Sequence, residues 1–208
     1  MSIGSIVALA GVLALLVGLT AYERGRHGPR EIGMVAVLIA AATAGRVLFA
    51  AIPSAQPVTA IAIVTGVALG PRAGAAVGAG TALVSNAFLG QGPWTPWQML
   101  LWGLAGASGG LLAPLLRRSR LALIVLGGIW GLLFGAMMDI WQLATFGPAF
   151  SFAAFIAVHA RALPFDLVHV LTNVLLLGIA GPALIGLVGR SAVRVRGRWV
   201  DAPEGTIP

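Results

Sequence analysis

The run Leu121–Ala144 reads LALIVLGGIWGLLFGAMMDIWQLA, and it decides the fold class. Its one charged residue is Asp139, and Arg117, Arg118 and Arg120 stand just before it. At about 1.5 Å of rise per residue, a helix of this length reaches across the ~30 Å hydrocarbon core of a bilayer. The rest of the chain repeats the pattern. Of 208 residues, 59 % are hydrophobic and 9 % are charged, and the mean hydropathy is +0.98. A soluble chain carries about 25 % charged residues. The surface of a soluble domain could not be covered with so little charge, and a disordered chain would not be this apolar. Glycine (29 residues) and proline (12) are abundant but follow no collagen period. The fold class is all-α, a polytopic membrane helical bundle.

The chain holds seven apolar segments. They are Ile3–Tyr22, Gly33–Ile52, Pro57–Leu69, Ala73–Leu89, Trp97–Leu116, Leu121–Ala144 and Leu163–Val188. Pro57–Leu69 is short for a straight span. It reads as a tilted short helix or a re-entrant piece buried among its neighbours. Ile3–Tyr22 lacks a basic leader and a cleavage site, so it reads as a retained helix and not a signal peptide.

The arginines set the topology. There are thirteen basic residues, none of them lysine, against six acids, a formal net charge of +7. Eleven fall on alternate connections: Arg24, Arg26 and Arg30; Arg72; Arg117, Arg118 and Arg120; Arg190, Arg194, Arg196 and Arg198. The opposite connections, Pro53–Gln56, Gly90–Pro96 and Thr145–Ala162, hold only Arg161, and Arg46 lies inside a span. This is a positive-inside pattern. It implies seven spans in the cell inner membrane, with the N-terminus outside and the C-terminus cytoplasmic. The charge excess therefore reports orientation and contact with membrane lipids, not a nucleic-acid partner. Residues 1–22 form an extra N-terminal helix, 23–188 the main bundle and 189–208 a basic cytoplasmic tail.

Small residues recur at helical spacing. Gly74, Gly78 and Ala82 share one face, as do Gly103, Ala107 and Leu111, and Gly106 pairs with Gly110. Such faces let backbones approach. Ala36, Ala40 and Ala44 make a smooth ridge that seats either a partner helix or an internal neighbour.

Polar and aromatic residues gather at the outer end. Gln56 lies in one outer connection. Asn86 to Gln98 supplies Gln91, Trp94 and Trp97 around a Gly/Pro-rich turn. Asp139, Trp141 and Gln142 open the third outer region, and His159, Arg161 and Asp166 close it. Asp166, His169 and Asn173 stand at i, i+3 and i+7, one polar stripe on an apolar helix. Intramembrane ionisable groups are costly, so each calls for a partner or a function. Arg46 is expected to pair with Asp139 or Asp166, either as a lock between helices or as part of a ligand cavity. Trp94, Trp97, Trp102 and Trp141 read either as interface anchors or packing, or as walls for an organic ligand.

Absences narrow the function. The chain has no cysteine and no Walker motif, so it does not hydrolyse ATP itself. Three scattered histidines suggest no zinc centre, and no metal or intrinsic cofactor is expected. No nucleophile lies in a recognisable Ser/His/Asp arrangement, so the chain does not read as an enzyme.

The stretches Gly45–Ala60 (GRVLFAAIPSAQPVTA) and Leu83–Gln98 (LVSNAFLGQGPWTPWQ), with Pro71-Arg72-Ala73-Gly74 between them, carry a resemblance. The chain resembles the substrate-binding S components of energy-coupling factor (ECF) vitamin transporters from about Gly33 to Val188. The resemblance implies six membrane helices holding a vitamin near the outer face, with the 1–22 helix as an addition. It implies partners: a transmembrane coupling protein and two cytoplasmic ATPase subunits. It points to the cobalamin subgroup, with riboflavin or another vitamin as alternatives. The family's docking motif falls on Ala36, Ala40 and Ala44. Its ligand cavity matches the Gln56, Asn86–Gln98, Asp139–Gln142 and Asp166–Asn173 regions. The competing reading is an intramembrane enzyme acting on a lipid or prenyl substrate through Asp139, Asp166 and His169.

Overall fold

The computed structural model describes residues 29–147 and 151–197. The expected Ile3–Tyr22 helix, Arg24 and Arg26, and the end of the tail from 198 onward lie outside the described residues. Among the described residues, eight helices follow in order. They are α1 (Pro29–Leu48), α2 (Val58–Leu69), α3 (Pro71–Leu89), α4 (Thr95–Leu111), a short α5 (Ala113–Leu116), α6 (Arg120–Phe146), α7 (Phe152–Ile179) and α8 (Gly181–Gly197).

Local chemistry explains the boundaries. Gly70 has φ +101° and Pro71 opens α3, so the chain turns sharply where α2 ends. Ser119 caps α6 by accepting from the Ala122 amide, and Ser151 caps α7 by accepting from the Ala154 amide. Pro182 follows the end of α7 and cannot continue it, so α8 starts as a separate helix.

Helix α2 is the hub. It is only 12 residues long, about 18 Å, yet it touches every other described helix. Nearly all of it, from Val58 to Val67, is buried. The closest pairs are α3 with α4, α6 with α7, and α2 with α4. Glycine lets the α2, α3 and α4 backbones meet. A Cβ on Gly66, Gly74 or Gly106 would collide with facing backbone, and one on Gly78 would strike the Trp102 carbonyl. The expected Gly74/Gly78 face is thus a real seam. Gly106 carries the α4 side of it, whereas Gly103 meets only ordinary contacts and Leu111 is exposed. Ile63, Val64, Leu123 and Leu177 fill the core toward one end, and Val58, Trp102 and Phe134 fill it toward the other.

The outside is apolar. On α7, Leu167, Leu171 and Leu175 are exposed at four-residue spacing, while Asp166, His169 and Asn173 are buried. Polar inside and apolar outside is the arrangement of a membrane helical bundle. Three described helices are long and apolar enough to cross a membrane: Glu31–Leu48, Arg120–Phe146 and Phe152–Ile179. That is fewer than the six family-like spans expected for residues 23–188. Helix α2 is too short, α4 has 17 residues, and Arg72 and Asn86 dilute the Ala/Gly-rich α3.

Two further expectations change. The segment beginning at Leu163 starts instead at Phe152, where Ser151 caps it, and runs through Pro164. The outer connection expected over Thr145–Ala162 is therefore mostly helix. Residues 189–197, the start of the basic tail, belong to α8. Arginines on this side bond helix ends. Arg117 Nη2 donates to the Val67 carbonyl at 2.6 Å, and Arg120 Nη2 donates to the Gly178 carbonyl. These are the last turns of α2 and α7, where free carbonyls and the negative end of the helix favour a cation.

Candidate functional site

The end of the bundle away from Arg117 and Arg120 holds three polar groups. The first centres on Arg46, in the last turn of α1 and 8 % exposed. Its Nε donates to Gln56 Oε1 at 2.9 Å, and its Nη1 donates to Asn86 Oδ1 at 2.6 Å and to Ser85 Oγ at 2.5 Å. Its planar fork thus spans the α1–α2 connection and the end of α3. These partners are neutral. Neither Asp139 nor Asp166 pairs with Arg46, so the expected Arg46–Asp139 pair is corrected. Both acids lie on the α6/α7 side and associate with His159 instead.

The α3–α4 connection folds down onto this group. Asn86 Nδ2 donates to Thr95 Oγ1 and to Gln98 Oε1, both at 2.9 Å. Thr95 Oγ1 donates to Gln91 Oε1, and Gln91 Nε2 donates to the Leu83 carbonyl. The Trp94 ring lies against Gly92, where no Cβ would fit. Trp97 Nε1 donates to the Met137 carbonyl on α6 at 3.0 Å, tying the connection to that helix. Gln56, Trp94, Trp97 and Gln98 are half-buried, Asn86 is buried and Gln91 is exposed.

A second group runs through the centre. The Arg46 guanidinium sits over the Trp102 ring, 4.8 Å from its centroid. Trp102 Nε1 donates to Thr59 Oγ1 at 3.0 Å, and that oxygen also bonds His169 Nε2 at 2.9 Å. Trp102 stacks on Phe134, and Phe134 meets His169 edge-on. His169 therefore serves the core, and Trp102, fully buried, packs there and does not line a surface. Asn173 lies a turn deeper and donates to the Gly127 carbonyl at 3.1 Å.

The third group is Asp139, His159 and Asp166. His159 Nδ1 shares a hydrogen bond with Asp139 Oδ2 at 2.8 Å and stands 3.6 Å from Asp166 Oδ2. The His159 ring stacks on Phe155. The Asp166 carboxylate fits because Gly135 has no side chain; a Cβ there would collide with it. Trp141 is buried against Phe146 and forms no wall here.

The structure thus brings Gln56, Asn86, Gln91 and Gln98 together with Arg46, joins Asp139 to Asp166, and puts His169 and Asn173 in the core. Sequence reading passed over Ser85, Thr95 and Thr59 as bonding partners, and did not bring His159 together with the two acids. His159 is seven residues before Asp166, so it extends the same helical stripe once α7 is known to begin at Phe152. Ala36, Ala40 and Ala44 are all exposed on α1, opposite its buried face of Val35, Ala42 and Arg46. A cleft of about 630 Å³ opens at the arginine-rich end, between the end of α2 and α8, lined by Leu69, Arg117, Ile185 and Arg190.

Comparison with known proteins found no matching family model, no matching curated protein and no matching solved structure.

Proposed function

We propose that the chain is a high-affinity vitamin-binding membrane subunit of an ATP-driven ECF uptake transporter. Cobalamin is the first candidate substrate, with riboflavin or another vitamin next. One observation carries the reading. The two stretches that resemble the family's S components, Gly45–Ala60 and Leu83–Gln98, join in a single hydrogen-bonded network through Arg46, Gln56, Ser85, Asn86, Thr95 and Gln98. That network lies beside the half-buried Trp94 and Trp97. Amides and indoles of this kind suit a bulky, weakly charged organic ligand.

In this reading the amides of Asn86 and Gln98 bond each other, and Gln91 bonds Thr95 and the Leu83 carbonyl, until the ligand takes over some of those bonds. The connection 90–94 carries Gly90 with φ +111° and the Gly92–Trp94 contact, so it can re-form around a guest. The chain is not itself an enzyme, and two ATPase subunits acting through a coupling protein supply the energy. The exposed Ala36/Ala40/Ala44 ridge is the docking face for that coupling protein, because small side chains admit a close partner helix. The arginine distribution supports an inner-membrane location with the outer network facing outside and α8 on the cytoplasmic side. The test is the small molecule that co-purifies with the protein, read by absorbance and mass spectrometry. A vitamin is expected; a lipid or prenyl compound alone contradicts the reading.

A second reading has a specific observation behind it. The Asp139–His159–Asp166 cluster favours an intramembrane enzyme acting on a lipid or prenyl substrate, with His159 in the part first assigned to His169. Turnover by the chain alone, lost in Asp139→Asn, supports that reading.

A further inference from the structure

We propose that Asp139, His159 and Asp166 form a binding site for one divalent first-row metal ion, of which Zn2+ fits best. The proposal is independent of the vitamin-binding reading.

The first observation is geometric. One ligand atom from each residue lies within 4.8 Å of the other two. His159 Nδ1 is 2.8 Å from Asp139 Oδ2 and 3.6 Å from Asp166 Oδ2. Ligands on a tetrahedral Zn2+ with bonds of about 2.1 Å stand roughly 3.4 Å apart. The three atoms therefore need only small shifts to surround an ion. One imidazole nitrogen and two carboxylate oxygens are a donor set that Zn2+ accepts, with further positions left open.

The second observation is an orphan. Asp166 Oδ2 is buried and has no hydrogen-bond partner, although its side chain is only 9 % exposed. A buried carboxylate oxygen without a partner costs free energy, and a second carboxylate beside it adds repulsion. One imidazole cannot offset two carboxylates, whereas a dication does. Gly135 and Phe155 fix the geometry from behind. The first leaves room for the Asp166 carboxylate and the second orients the His159 ring. His159 is 27 % exposed at the edge of the cluster and gives the ion a way in.

The test uses full-length protein in detergent, without a polyhistidine tag, stripped with EDTA and titrated with zinc chloride alone. Calorimetry is expected to show one saturable equivalent, and Zn2+ is expected to raise the melting temperature. His159→Phe keeps the ring stacked on Phe155 and removes the ligand; it should weaken binding about tenfold or more, the low end of what metal-site substitutions cost. Asp166→Asn should do the same, and Gly135→Ala should weaken binding by displacing the Asp166 carboxylate. If Asp166→Asn does not fold, His159→Phe decides alone. No saturable step in the wild type, or unchanged affinity in folded His159→Phe, overturns the proposal.

Discussion

Arg46 lies face-on to Trp102, its guanidinium carbon 4.8 Å from the ring centroid, while the same Trp102 donates its Nε1 proton to Thr59. The indole thus joins the Arg46 network to the Thr59–His169 pair in the core. A buried cation needs such a setting: three neutral acceptors for its protons and an aromatic face for its charge.

Removing Arg46 should therefore cost stability. Arg46→Leu leaves Gln56, Ser85 and Asn86 without their donor. Hydrogen bonds to charged groups contribute about 1.5–3 kcal/mol each, so a loss of about 3 kcal/mol or more is expected. Arg46→Lys keeps the charge but not the fork, and should fall between. Thermal melting in detergent measures both. A leucine variant that melts with the wild type contradicts the role given to Arg46.

The glycine seam makes a contrast within one helix. Gly106→Ala drives a Cβ into Gly74 backbone, whereas Gly103→Ala meets its nearest atom at 3.5 Å. Overpacking costs about 1–3 kcal/mol, and rigid backbone on the receiving side favours the upper end. Gly106→Ala should lower the melting temperature clearly and Gly103→Ala hardly at all. Equal effects would mean that α3 and α4 are not held by backbone contact.

On α1, Ala36→Trp or Ala40→Trp adds bulk to an exposed face and touches no core. The fold and ligand binding should survive. Co-purification with a coupling protein should be lost or sharply reduced. Unchanged co-purification of both variants removes the docking assignment.

Trp94→Ala and Gln98→Ala probe the proposed ligand site. Trp94 lies on Gly92, and Gln98 accepts from Asn86. Each variant should bind the ligand about tenfold more weakly, the effect of about 1.4 kcal/mol, while melting close to the wild type. Equal affinities move the site elsewhere.

Part of this was legible in the sequence. The stripe Asp166, His169, Asn173 is buried as its spacing implied, and Gly74 and Gly78 lie at a backbone contact. Pro57–Leu69, read as short for a straight span yet counted among the seven spans, is a buried helix at the centre. The partner of Arg46 was not legible. Charge alone points a buried cation to an acid, but Ser85 and Asn86 lie one turn from the end of α3 and reach it first. The start of α7 was not legible either. His159 and Arg161 interrupt the apolar pattern before Leu163, yet the helix begins at Phe152 and runs through Pro164. Placing His159 in a connection hid its pairing with Asp139.

The proposed function requires that this chain alone bind a vitamin. The most direct measurement is a titration of the purified, folded protein, without nucleotide, against cobalamin, riboflavin, thiamine, biotin and queuosine precursors. Tight, reversible, saturable binding of one of them is predicted, with cobalamin first. No saturable binding by any of the five, in protein shown by melting to be folded, contradicts the claim.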